Sequence, residues 1–196
     1  MNPVPGTCAR IKKIEVMFIN RGVHVYFMGF KKTSDLIAVS FGLTEGGANT
    51  FTQGEIALQL DVLNNEIFVV LATDLNVAAP DNVGGTSSDT RASVTSTSQT
   101  ALATLANTNT IAEAQLAIRG DVAQPGNSVS FQRAAEESYT GMLDYVALIA
   151  TNNFFVQVQG SGNAGAKSVA GRVYGYRARA DASTYAALVQ SEVLSA

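Results

Sequence analysis

One run of residues decides the fold class: Ile56-Ala57-Leu58-Gln59-Leu60-Asp61-Val62-Leu63-Asn64-Asn65-Glu66-Ile67-Phe68-Val69-Val70-Leu71-Ala72-Thr73-Asp74-Leu75-Asn76-Val77. Ile56, Leu58, Leu60 and Val62 alternate with Ala57, Gln59 and Asp61. A strand sends successive side chains to opposite faces, so this period of two predicts a half-buried strand. Asn64-Asn65 then turns the chain, because asparagine accepts the left-handed backbone that a tight hairpin needs. Residues 66–77 are the expected return strand.

Working outward, the same signals recur. Ile14, Val16 and Phe18 precede the turn residues Asn20-Arg21-Gly22, and Val23, Val25 and Phe27 follow them, predicting a hairpin with both faces largely apolar. Ile37, Val39, Phe41 and Leu43 alternate with Ala38, Ser40 and Gly42. The polar run from Pro80 to Thr100 divides into a long loop and a Ser/Thr-Val alternation over 93–100, expected as a solvent-washed edge strand. Leu102 and Leu105 have the spacing of a short helix, and 111–118 that of a strand. Further strands are expected at 128–133, 142–150, 154–159 and 169–179, with Thr151-Asn152-Asn153 as a hairpin turn and 160–168 as a glycine-rich hairpin loop. Asp181 or Ser183 can cap a terminal helix over 181–196, with Tyr185, Leu188, Val189 and Val193 as its apolar stripe. Nine or ten short strands predict one all-β domain over 1–196, with 1–10 as a flexible N-terminal segment. An antiparallel sandwich or barrel follows, a jelly roll first and an immunoglobulin-like sandwich second. The lack of tryptophan and of a cysteine pair counts against the latter.

Composition narrows the function. The 196 residues are 46% hydrophobic but only 15% charged, well below the roughly 25% of ordinary domains. Hydrophobicity is too high for disorder, and no stretch approaches the roughly 20 apolar residues of a spanning helix. One cysteine, Cys8, excludes an internal disulfide and a multi-cysteine zinc site, and one histidine, His24, excludes multi-histidine metal motifs. Composition therefore disfavours an enzyme. The net charge of −3 hides segregation: residues 1–32 carry net +5, 33–166 net −10 and 167–196 net +2. Basic ends and an acidic middle suit electrostatic complementarity between subunits. No basic run is long enough to package nucleic acid. A monomer this size would expose on the order of 8,900 Å². Burying part of that against further copies is easier to reconcile with so few charges.

Three constellations invite chemistry and fail. Gly160-Ser161-Gly162-Asn163-Ala164-Gly165 matches the dinucleotide fingerprint, with Asp181 downstream, but no helix follows to hold a pyrophosphate. The same stretch misses a phosphate-binding loop, since Ala166 stands where lysine is required. Asp61, Glu66, Asp74 and Asp81 lack the alternating spacing of a calcium loop. Glu136-Glu137 is expected as a solvated loop, His24 as a satisfied strand histidine and Cys8 as a free thiol. No catalytic, cofactor-binding or metal residue is assigned. Arg172, Tyr174, Tyr176, Arg177 and Arg179, together with Tyr185, are the expected subunit contacts. Their mixed faces fit an interface better than a continuous platform for nucleobases, so specific nucleic-acid binding is not expected.

The run from Tyr145 to Ala178 combines a strand, the Thr-Asn-Asn turn, Phe-Phe-Val-Gln-Val-Gln, a glycine loop and Gly-Arg-Val-Tyr-Gly-Tyr-Arg-Ala. It resembles the late strands of small β-barrel capsid proteins of icosahedral viruses, and the chain is similar to them in style over most of its length. The resemblance implies a self-assembling, non-enzymatic shell subunit or a protein that decorates a shell. Its partners would be copies of itself and other virion proteins. The missing basic N-terminal arm departs from many such proteins and puts genome binding in doubt. The N-terminus lacks a secretory pattern, so synthesis in a host cytoplasm and residence in a virion are expected. The alternative is a carbohydrate- or receptor-binding module of a fibre or cell surface.

Overall fold

The computed structural model describes residues 29–120, 123, 128–133 (backbone only) and 143–194. The expected hairpin over 14–28, the 1–10 segment, Cys8, His24 and Glu136-Glu137 lie outside the described residues. Within them run β1 (Phe30–Lys32), β2 (Ile37–Thr44), β3 (Thr52–Ala57), β4 (Glu66–Val77), β5 (Ser88–Thr95) and β6 (Thr110–Gly120). These are followed by β7 (Ser128–Arg133), β8 (Ala147–Ile149), β9 (Asn153–Ser161), β10 (Ser168–Ala180) and helix α1 (Ala182–Leu194).

All pairings are antiparallel and most of them nest. β2 pairs with β10, β3 with β9, β4 with β8, and β5 with β6. A long hairpin folded over on itself produces this order. Two further seams, β10 with β4 and β5 with β9, join the pairs into two five-stranded sheets. The first runs β1/β2-β10-β4-β8 and the second β3-β9-β5-β6-β7. That is a jelly roll, the topology expected first.

The nesting corrects three expected hairpins. β3 and β4 lie in different sheets, so the segment around Asn64-Asn65 crosses the barrel instead of closing a ladder. Asn65 does adopt the left-handed conformation, at φ 54°, at the end of a single 3-10 turn. Gln59, at φ 52°, helps break the strand, which ends at Ala57, although Leu58 and Leu60 stay buried. Burial alternated; hydrogen bonding did not. The 151–153 turn and the 162–167 loop likewise pass between sheets.

Between the sheets lies one core, with Phe41, Phe68, Val70, Val94, Phe154, Val156, Val158 and Val173 among its members. Each such side chain contributes about 1.5–3 kcal/mol by leaving water. Phe41 and Phe154 meet edge to face at 5.9 Å. Glycines make room for the rings. A Cβ on Gly171 would stand 2.6 Å from the Phe41 ring, and one on Gly175 would stand 2.6 Å from the Phe68 ring and collide with the Val69 carbonyl.

β4 is buried continuously from Ile67 to Val70 and then alternates. Both faces are covered over 67–70, and a bulge then shifts the parity: Tyr174 faces Ala72 while Gly175 faces Val70, which leaves Leu71 unpaired. Phe68 and Val70 point inward before it, and Leu75 and Val77 after it. Outside, Ile67 and Val69 pack with Ala150, Ala178, Ala180, Tyr185, Leu188 and Val189 in a second cluster beneath α1. The Asp181 carboxylate caps α1, accepting from Thr184 N–H at 2.7 Å, and hydrogen bonds from Ser183 and Thr184 hold its pKa below the usual range. Tyr185, Leu188 and Val189 of the expected stripe face this cluster, but its last position does not: Val193 is 66% exposed and Glu192 beside it is buried.

Two expectations about 93–105 are overturned. β5 is an interior strand with β6 and β9 on its flanks, not an edge. Residues 101–109 are turns, not a helix. Gly175→Ala is expected to cost about 1–3 kcal/mol through overpacking, whereas Gly165→Ala, whose Cβ meets nothing within 4 Å, should stay within about 0.5 kcal/mol of the parent. Urea unfolding measures both, and equal midpoints would refute the assigned close approach.

Candidate functional site

Strand β10 distributes the expected contact residues by parity. Arg172, Tyr174 and Tyr176 lie on the outer face of the first sheet. Arg172 Nε donates to Ser40 Oγ at 3.1 Å, and its guanidinium stands 6.0 Å from the Tyr174 ring. Lys32 Nζ lies 4.9 Å from the Tyr176 ring. Such contacts at exposed sites contribute about 0.5–1 kcal/mol each. Arg177 points the other way: Nη2 donates to the Leu58 carbonyl at 3.0 Å, and Nη1 lies 4.0 Å from Glu66. Arg179 is exposed. Tyr185 packs beneath α1 and donates its hydroxyl to the Ala150 carbonyl at 3.3 Å. One surface therefore holds Arg172 and Tyr174, with Tyr176 on the same face but packed against the cluster beneath α1, while Arg177 and Tyr185 are engaged within the chain.

The glycine-rich loop is a structural clasp. Glu45 accepts from the N–H groups of Gly160 and Lys167. Asp81 accepts from Ala164 and Gly165 N–H and pairs with Lys167 Nζ at 2.6 Å; these bonds, the lysine's first, lower its pKa. Asn163, 6% exposed, bonds to Asp81 N–H, to the Asp89 carbonyl and twice to Asn49. Loops 45–51, 78–87 and 162–167 are thereby tied together at one end of the barrel. Asp61, Glu66, Asp74 and Asp81 do not converge, and among the described residues no three metal-ligating side chains gather.

Two polar features escaped the sequence. On the outer face of the second sheet, Ser93, Thr95 and Gln157 are fully buried under the 96–109 loop. Gln157 accepts from Ser93 at 2.6 Å and from Ala103 N–H at 3.2 Å, and donates to Thr95 at 2.9 Å and Gln53 at 3.1 Å. Beside this network is a half-open cleft of about 360 Å³ lined by Asp89, Arg91, Leu102 and Gln159, among others. The second feature is Glu192, whose carboxylate accepts from Ala150 and Thr151 N–H, both at 3.0 Å. Only the Ser/Thr/Gln content of β5 and β9 hinted at the first, and nothing local marked the second.

No family model and no curated protein matches the sequence. A solved structure from Desmodium yellow mottle tymovirus aligns with 78% of this chain and 93% of its own, at 10% identity and a TM-score of 0.27. No helix among the described residues is long and apolar enough to cross a membrane.

Burial pushes the Glu192 carboxyl above its ordinary pKa, outweighing the backbone and Thr151 bonds that pull it down. A carboxyl raised in the folded state favours the fold while neutral and loses that advantage as pH climbs through the folded value. E192Q should therefore gain stability relative to the parent as pH rises above about 4, the ordinary glutamate range. Thermal midpoints across that range measure it; a relative loss would mean that the two N–H bonds outweigh burial.

Proposed function

We propose that this chain is a structural subunit of a virus particle, building a shell from copies of itself or binding onto one, and that it performs no catalysis. The observation that carries the reading is the contrast between a filled barrel and an apolar end. The interior is occupied by packed side chains, so the barrel holds itself together and leaves its outside free for contacts.

Leu36, Leu63 and Leu105 are 61%, 95% and 50% exposed, and Val193 and Leu194 are 66% and 77% exposed. They belong to the approach to β2, the β3–β4 crossing, the β5–β6 loop and the end of α1. β3 ends where β9 begins, Ala57 facing Asn153, and β5 ends alongside Phe155. These apolar residues therefore gather toward one end, opposite the hydrogen-bonded clasp. Brought together as one patch, such side chains would form an interaction site. The small outer residues of the first sheet (Ala38, Ser40, Ala72 and Ala170) around Arg172 and Tyr174 offer a second flat face for close approach. The basic ends and acidic middle of the sequence add charge complementarity.

Light scattering with negative-stain electron microscopy of the expressed protein is expected to show closed particles, rings or discrete oligomers. Leu63→Asp should abolish them while moving monomer stability by less than about 0.5 kcal/mol, since the side chain is solvent-facing. A strict monomer at high concentration that also fails to bind preformed particles would overturn the reading. Assembly unchanged by Leu63→Asp would remove this end of the barrel from the interface.

A further inference from the structure

On the outer face of the second sheet, two adjacent zones of the same strands differ in one respect. Around Gln157 the loop closes over the sheet and polar groups find partners within the chain. One step along the strands, Arg91 stands opposite Gln159 on one side and Gln115 on the other, and Asp89 stands opposite Ser161. Here the loop stands back. Ala101 and Leu102 form a wall, and the cleft of about 360 Å³ opens between them and the sheet. That volume is within the range of small-molecule sites, about 300–1,000 Å³.

We propose that this cleft binds a neutral, hydroxyl-dense ligand, that is, a saccharide. Arg91 commits Nε and Nη2 to Asp89 Oδ2, at 3.2 and 2.8 Å, which leaves Nη1 without an intrachain partner among the described residues. The side-chain amide of Gln159 has none either, although its neighbour Gln157 is saturated. The ion pair is neutral as a unit. The guanidinium is 42% exposed and the carboxylate only 8%, so the pair offers a cation nothing and an anion only a guanidinium already committed to Asp89. What remains is a set of donors and acceptors side by side: guanidinium N–H, amide NH₂ and C=O, and the Ser161 hydroxyl. Hydroxyls on adjacent carbons both donate and accept, and satisfy such a set in pairs. Leu102 supplies an apolar wall for a C–H face.

The site is also preorganised. Its floor belongs to β5 and β9, both interior strands, and rigid elements hold binding groups more precisely than loops. The wall is pinned by Ala103 N–H on Gln157 and by Leu105 N–H on Glu113, each at 3.2 Å.

The test applies the full-length protein to immobilised neutral hexose and N-acetylhexosamine oligosaccharides, with sialylated and sulfated counterparts alongside. Binding to a neutral oligosaccharide, unimproved by the acidic groups, is the expected result. Gln159→Leu should weaken it by about tenfold without moving the thermal midpoint, because that side chain makes no bond within the described chain. No neutral oligosaccharide above the level of an unrelated protein would overturn the proposal. So would preference for the acidic forms, or undiminished binding by Gln159→Leu. Assembly is read separately by light scattering, so failure here leaves the shell proposal standing.

Discussion

Strand β10 is the element on which the rest of the first sheet depends. Thirteen residues long, it pairs with β4 along one edge and with β2 and then β1 along the other. Removing it would leave β2 and β4 without a common neighbour and strip the core of Val169 and Val173. Its sequence reflects that position. Inward sites alternate valine with glycine because Phe41 and Phe68 fill the space above Gly171 and Gly175. Ring and gap are complementary, which pins the register of three strands at once. The bulge opposite Gly175 then turns β4 so that one strand serves the core along its length and the helix cluster at its start.

Covering a sheet's outer face poses a different problem at each sheet. The first uses α1, an apolar helix face over Ile67 and Val69 fixed by a carboxylate on two backbone N–H groups. The second uses an irregular loop, and a loop brings unpaired N–H groups with it. Gln157 answers that need: one amide serves two side chains of the sheet floor, Gln53 and the Ala103 N–H of the cover. An apolar residue there would leave the Ala103 N–H stranded, at a cost of about 1–3 kcal/mol. The buried polar strip is thus a consequence of roofing a sheet with loop backbone.

This explains what the sequence disclosed and what it did not. Alternation at Ile37–Leu43 and 169–179 placed β2 and β10 nearly to the residue, because each has one wet and one dry face. The same signal at 56–62 overran the strand, since burial persisted across a crossing segment whose backbone had left the ladder. Turn residues at 64–65 and 151–153 marked reversals correctly but not their partners. A change of direction between sheets and one within a sheet use the same chemistry. Ser/Thr alternation in β5 pointed to water because its cover is loop backbone, which calls for the same polar side chains that water does. Of the expected contacts, parity alone separated Arg172, Tyr174 and Tyr176 from Arg177. Glu192 lay hidden by one residue of helical phase.

The two ends of the barrel differ in kind, and the nested topology is the reason. At the clasped end, three loops that are remote in sequence converge, and Asn163, Asp81 and Glu45 tie them with short polar bonds. At the other end the connections are the crossing after β3, the β5–β6 loop and the helix, and these present Leu63, Leu105, Val193 and Leu194. A barrel satisfied at one pole and apolar at the other has a direction. Two copies meeting apolar pole to apolar pole would do so about a two-fold axis, a contact that closes on itself. With the sheet faces roofed by helix and loop at that same pole, the open flat of the first sheet and the cleft of the second are left facing sideways.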